Sequence, residues 1–270
     1  MALQMTSMLA NARRELRQHP VALRVRAESE GTTVVDSYAA RLVWEPRRIV
    51  SAYAVPVADI AGTLVNPQPV TPDPRTLPPV LSPRQGFEVH GAAGTAYDIE
   101  TPAGTLAGAA FVPEDRDLEG YAVLDWDAFT RWFEEGEEVR GHPREPFHSI
   151  RCLPSERHVV VEVDGQVIAD TRRAVMLLET SLPPRWYIPR EDVRMDLLTP
   201  SDSHTVCAYK GQASYWSYRD VEDIVWTYED PRHEAEPVKD LLSFYAEFAD
   251  YVIDGERQVH PVTEWSRSRT

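Results

Sequence analysis

The sequence predicts a mainly β protein built from two tandem antiparallel β domains, each carrying one late α-helix, with a further helix at the N-terminus. Three observations predict it: the chain resembles itself, its middle carries a β-branched hairpin signal, and helical spacing appears only at the chain start and late in each repeat. Residues 24–53 align with residues 158–187 without a gap. The alignment superposes Val25 on Val159, Glu28 on Glu162, Gly31 on Gly165, Asp36 on Asp170, Ala40 on Ala174, Glu45 on Glu179 and Tyr53 on Tyr187. With small length changes it continues through His90 against Cys207, Gly94-Thr95-Ala96 against Gly211-Gln212-Ala213 and Phe111 against Trp226. Both copies close on His-Pro, at His142-Pro143 and His260-Pro261. Duplication is the economical explanation. The expected organisation is an N-terminal helix over 1–20, a first domain over 21–144 and a second over 145–270.

Met5, Met8, Leu9, Ala12 and Leu16 share one helical face and predict the first helix. Val159 to Val163, Asp164-Gly165 and Gln166 to Ala169 read as two strands across a two-residue turn, with Glu30-Gly31 in the same place in the first copy. Period two over Arg173 to Glu179 sets Arg173, Val175, Leu177 and Glu179 on one face of a strand. Pro183-Pro184 and Pro189 break the chain, and the aromatic-rich runs Ser214 to Tyr218 and Asp223 to Tyr228 read as strands across Arg219-Asp220. Trp126, Phe129 and Phe133, like Leu241, Leu242, Tyr245, Phe248 and Ala249, have helical spacing. Between them the copies differ most over Ile60 to His90. Pro67, Pro69, Pro72, Pro74, Pro78, Pro79 and Pro83 there predict an extended proline-rich insertion, over 61–85, that forms no ladder.

At 270 residues with 43% hydrophobic content, the chain can fill two cores. A formal net charge of −15, from 43 acids against 28 bases, repels phosphate backbones and argues against nucleic acid as a partner. Cys152 and Cys207 are too few and too far apart for a disulfide framework or a zinc knuckle, which fits a cytoplasmic protein. The chain has no apolar run long enough to span a membrane. It also lacks a phosphate-binding P-loop, a dinucleotide GxGxxG, a GxSxG elbow, HExxH and CxxC. Asp125-Trp126-Asp127 reads as helix capping, and no metal or cofactor is expected.

The candidate chemistry lies in Cys207-Ala208-Tyr209-Lys210-Gly211. A lysine between aromatic residues and a glycine could be desolvated toward nucleophile or general-base use, or could hold an anionic substrate. Glu179 could serve as acid, base or lysine partner, Tyr187 as a phenol donor and Cys207 as a thiolate or polarisable lining group. Arg173, Tyr215, Trp216 and Trp226 are the expected ligand-binding residues. On the alignment, Lys210 faces Ala93 and Arg173 faces Ala39, so the site is expected in the second domain only. A metal-independent small-molecule enzyme is the leading expectation, and a non-catalytic ligand- or peptide-binding module the alternative.

Val160 to Gly165, the run from Glu179-Thr180 to Leu197, Cys207 to Gly211 with Ala213 to Ser217, and Trp226 to Pro231 resemble the domain of unknown function 427 family in its tandem form. Trp44 to Arg48 and Tyr53 to Pro56 are similar to the degenerate first domain of such proteins. The resemblance implies β-tent-like domains, an architecture that elsewhere often holds a four-cysteine zinc site; those cysteines are missing here. It also implies a nucleotidyltransferase label as a further alternative. That chemistry calls for a Gly-Ser loop followed by paired metal-binding acids, which this sequence lacks.

Overall fold

The computed structural model describes residues 2–263 and residue 266, and the chain divides into two compact units, Met1–Glu145 and Pro146–Thr270. The first contains a helix, α1 (Met5–Ala12), and the strands β1 (Arg17–Pro20), β2 (Val25–Ser29), β3 (Thr32–Ser37), β4 (Arg41–Trp44), β5 (Ala52–Pro56), β6 (Thr63–Val70), β7 (Gly94–Thr101), β8 (Gly104–Pro113), β9 (Tyr121–Leu124), β10 (Arg131–Glu134) and β11 (Glu137–Val139). The second contains β12 (Ile150–Pro154), β13 (Val159–Val163), β14 (Gln166–Thr171), β15 (Val175–Glu179), β16 (Arg185–Ile188), β17 (Thr199–Cys207), β18 (Gly211–Tyr218), β19 (Val221–Pro231), β20 (Leu242–Phe244), β21 (Asp250–Ile253) and β22 (Glu256–Arg257).

Each unit has a seven-stranded and a four-stranded antiparallel sheet. The strand orders, β1-β4-β5-β9-β8-β7-β6 and β12-β15-β16-β20-β19-β18-β17, are the same order in the two copies. A bulge recurs at aligned positions, between Ala27 and Glu28 and between Val161 and Glu162. In the second unit, Val159, Val161 and Val163 of the small sheet meet Trp186, Ile188, Trp216, Val225 and Phe244 of the large one in a buried cluster. One face of the large sheet is thus spent on the core, and its other face is free to carry a site.

The predicted hairpins form. Glu30 and Gly31, like Asp164 and Gly165, have positive φ, the conformation that a two-residue turn matching strand twist requires. Gly165 sits at φ +74, so Gly165→Ala should destabilise by about 1–2 kcal/mol in urea unfolding although its Cβ would meet open space.

Other expectations need correction. Among the described residues α1 is the α-helix, and it ends before β1, so the predicted helix over 1–20 is cut short by a sheet strand. The late helices do not form. Leu242 and Phe244 lie on β20, Tyr251 on β21, and between them one turn places Phe248 N and Ala249 N on Tyr245 O. The apparent helical spacing is a strand, a turn and a strand in succession, and Trp126 to Phe133 repeats the pattern as a turn that runs into β10. Nor does proline abolish the ladder over 63–70. β6 pairs with β7 around a bulge between Val65 and Gln68, because an edge strand can leave its proline positions facing away from its neighbour.

The ladders also correct the alignment of the copies. Val175 pairs with Tyr187 where Arg41 pairs with Ala54, so Tyr187 stands at Ala54 and Trp186 at Tyr53. The extra residue of the first copy precedes β5. Likewise Tyr215 lies opposite Trp226 where Ala96 lies opposite Phe111, so Ala96 corresponds to Tyr215 and not to Ala213. Among the described residues no helix is long and apolar enough to cross a membrane.

Candidate active site of the second domain

The outer face of the second large sheet is lined by Leu177, Tyr187, Ala213, Tyr215, Trp226 and Tyr228. Register explains the row. Val175, Tyr187, Ser243, Trp226 and Tyr215 are successive cross-strand partners from β15 to β18, so period two brings their side chains to one face. The same row in the first copy is Arg41, Ala54, Val123, Phe111 and Ala96. The hydroxyl groups are confined to the second copy.

The β17–β18 connection is short, with only Ala208, Tyr209 and Lys210 between Cys207 and its partner Gly211. Gly211 has φ +101, a conformation that L side chains rarely adopt. The tight loop turns the Lys210 ammonium onto Glu179 Oε2 at the end of β15. The other carboxylate oxygen, Oε1, lies 3.0 Å from His148 Nε2, and the His148 ring stacks on Tyr209 at 4.0 Å. Lys210 and Glu179 are both largely buried, their side chains 12% and 5% exposed.

These contacts fix the charge states. Burial alone would raise the Glu179 carboxyl, but the His148 hydrogen bond and the Lys210 charge lower it to about 2. Burial alone would depress the Lys210 amine, but its surroundings of Cys207, Glu179 and Tyr187, with the ion pair to Glu179, hold it above the ordinary lysine range. Lys210 is therefore held toward the ammonium form, the state in which it can anchor an anionic group. Burial pushes the Tyr187 phenol up to about 12 and the Tyr228 phenol upward as well, so both keep their protons.

Hydrogen bonding divides the site into used acceptors and unused donors. Both Glu179 oxygens are engaged, while Trp226 Nε1 donates to the Tyr187 hydroxyl at 3.0 Å and leaves that hydroxyl's proton uncommitted. Tyr228, 5% exposed, has no hydrogen-bond partner for its hydroxyl among the described residues. Beside the row, Arg185 makes a bidentate pair with Glu247 at 2.8 and 2.7 Å, framed by Trp226 and Tyr245.

Of the sequence candidates, Lys210, Glu179, Tyr187, Cys207, Tyr215 and Trp226 come together on this face. Trp216 does not: it follows Tyr215 on β18, points to the opposite face and is packed in the core between the sheets. Arg173 does not either. It precedes β15, is mostly exposed and is bound to Asp192 at 2.8 Å. Sequence reading missed His148, Tyr228, Tyr245 and the Arg185–Glu247 pair. Tyr228 was within reach, because it is two residues from Trp226 on one strand and so shares its face.

In the first copy the same connection is the proline-rich stretch 71–93, between β6 and β7. Its end brings His90 Nδ1 to 3.0 Å from Glu45 Oε1, and Gly91 N donates to Glu45 Oε2 at 2.8 Å. Phe87 packs against the buried cluster of Val43, Ala54, Phe111, Leu118 and Val123, while the guanidinium groups of Arg47 and Arg48 hold backbone carbonyls of Pro74, Leu77, Gln85, Gly86 and Val89. The insertion therefore plugs the face that stays polar in the second copy.

Residues 151–255 match the family model described as Domain of unknown function (DUF427), whose label is that of a nucleotidyltransferase. No curated protein matches the chain significantly.

Proposed function

We propose that the domain whose residues 151–255 match the DUF427 family model is a small-molecule enzyme that binds an anionic or carbonyl oxygen of its substrate beside Lys210. The observation that carries the reading is the surplus of donors. The Lys210 ammonium keeps N–H groups beyond the one facing Glu179, Tyr187 keeps its O–H, and Tyr228 is unengaged, whereas the nearby acceptors are taken. In a water-poor setting such donors stabilise negative charge developing on oxygen without having to reorganise, and in many enzymes this supplies most of the rate enhancement. Glu179 and His148 position the ammonium, and Trp226 orients the Tyr187 phenol.

Lysine is itself informative here. Lys210 and Lys239 are the lysines of a chain with 28 basic residues, the rest arginine. At the buried position a compact charge with three rotatable donors replaces the planar arginine fork. The nucleotidyltransferase alternative is less well supported, since among the described residues no three His, Cys, Asp or Glu side chains converge as a metal–triphosphate site needs. The binding-module alternative shares the pocket and differs only in turnover.

Native mass spectrometry and calorimetry of the full chain against small carboxylates and phosphates test the reading. A ligand is expected to bind the wild type and the first-copy variant Glu45→Gln, and to bind Lys210→Met at least about tenfold more weakly, one charge-assisted hydrogen bond being worth ~1.5–3 kcal/mol. Undiminished binding to Lys210→Met would overturn it.

A further inference from the structure

Resting on that reading of the Lys210 site, we infer that Cys207 is its nucleophile and that the substrate class is an activated acyl compound, such as a thioester or reactive ester. Cys207 closes β17 opposite Gly211. It shares its face, by period two, with Thr205, whose partner Ala213 and hydrogen-bonded neighbour Tyr215 belong to the aromatic row.

Two cysteines lie within the field of the Lys210 ammonium, and their surroundings differ. Cys152 on β12 directs its Sγ to Glu234 O at 3.7 Å, and burial raises its thiol. The Cys207 thiol has no hydrogen-bond partner among the described residues, and the charged or polar groups that sense it are Lys210 and Tyr228. A thiol beside a fixed cation and free of other ties is poised for nucleophilic use.

The second observation is Tyr228. Its phenol is buried and unpartnered, and it stands opposite Ala213, whose partner on β17 is Thr205, two residues from Cys207 on the same face. With Tyr187 it supplies two O–H donors beside one sulfur, the arrangement an acyl carbon and its oxygen would occupy.

The chemistry balances without a metal or an oxidant. The sulfur attacks the acyl carbon, an S–C bond forms, and the carbonyl π pair moves onto oxygen between Tyr187 and Tyr228. When that pair returns, the bond to the leaving group breaks. The proton given up by Cys207 passes to water, and the leaving thiol or alcohol takes one up from water. Water then cleaves the S-acyl bond, releasing a carboxylic acid and restoring the thiol.

Intact-mass and peptide mass spectrometry of the full chain test this with two probes, iodoacetamide and p-nitrophenyl acetate. Cys207 is expected to be alkylated about tenfold faster than Cys152. One acetyl group should appear on Cys207, form more slowly in Lys210→Met and be restored by Lys210→Arg. The comparison of the two cysteines needs only the wild type, so a misfolded variant does not void it. Equal or faster labelling of Cys152, or acetyl transfer to any other residue, would overturn the assignment. Should Cys207 stay inert while small anions still bind at Lys210, this inference falls and the proposed function stands.

Discussion

Glu179→Gln is expected to destabilise the second domain by about 3–5 kcal/mol, because it leaves the Lys210 ammonium buried without its counter-ion. Lys210→Met should cost less. It leaves Glu179 its hydrogen bond to His148 and replaces a buried charge by an apolar chain of similar length. Thermal melts of the full chain would show the glutamate variant shifted by on the order of 10 °C. The pH dependence follows from the lowered carboxyl. Its folded value of about 2 lies below the ordinary value of ~4.3, so the unfolded state takes up the proton more readily. The stabilisation is fully present above the ordinary value and is lost as pH falls toward 2. Between neutral pH and acid the wild type should therefore lose stability more steeply than Glu179→Gln.

Glu247→Ala should also cost about 3–5 kcal/mol in urea unfolding. Arg185 and Glu247 are almost fully buried, and Thr263 adds a hydrogen bond to Glu247 at 2.7 Å. Unlike lysine, the guanidinium cannot shed its proton, so the charge stays in place between Trp226 and Tyr245. The double variant Arg185→Met with Glu247→Leu removes both charges and should recover most of the loss. A double variant as unstable as Glu247→Ala would show that the cost is one of packing. The first copy does without the pair: Ala52 stands where Arg185 stands.

Much of the fold was legible because β hairpins announce themselves locally. Glu30-Gly31 and Asp164-Gly165 are turns that the flanking β-branched residues make readable, and the gapless repeat extended each observation to the other copy. Failures came where one pattern has two geometric causes. Leu241 to Ala249 spaces its apolar residues like a helix because a strand on one sheet is followed by a turn and a strand on the other. Gap placement failed for a related reason. Tyr53 and Tyr187 look equivalent in sequence, yet a shift of one residue in a strand sends a side chain to the opposite face.

At the site, Lys210, Glu179, Tyr187 and Cys207 were legible from residue type and from their separation between the copies. Trp216 was misplaced because alternation along β18 had not been applied to its neighbour Tyr215. His148 could not have been found by motif, since it reaches Glu179 only through the pairing of β12 with β15. The role of the proline-rich stretch depended on the same kind of information. Only the ladder shows that it replaces the three-residue connection bearing Lys210 and seals the first copy with Phe87 and His90.

The central claim is that Lys210 works as a permanent ammonium donor. Carbon-13 labelling of lysine gives two side-chain signals, Lys210 and the exposed Lys239, whose titration by NMR reads the claim directly. Lys210 should stay protonated beyond the ordinary lysine value of ~10.4. A Lys210 signal that titrates below that value would contradict the claim and return the residue to the role of nucleophile or base.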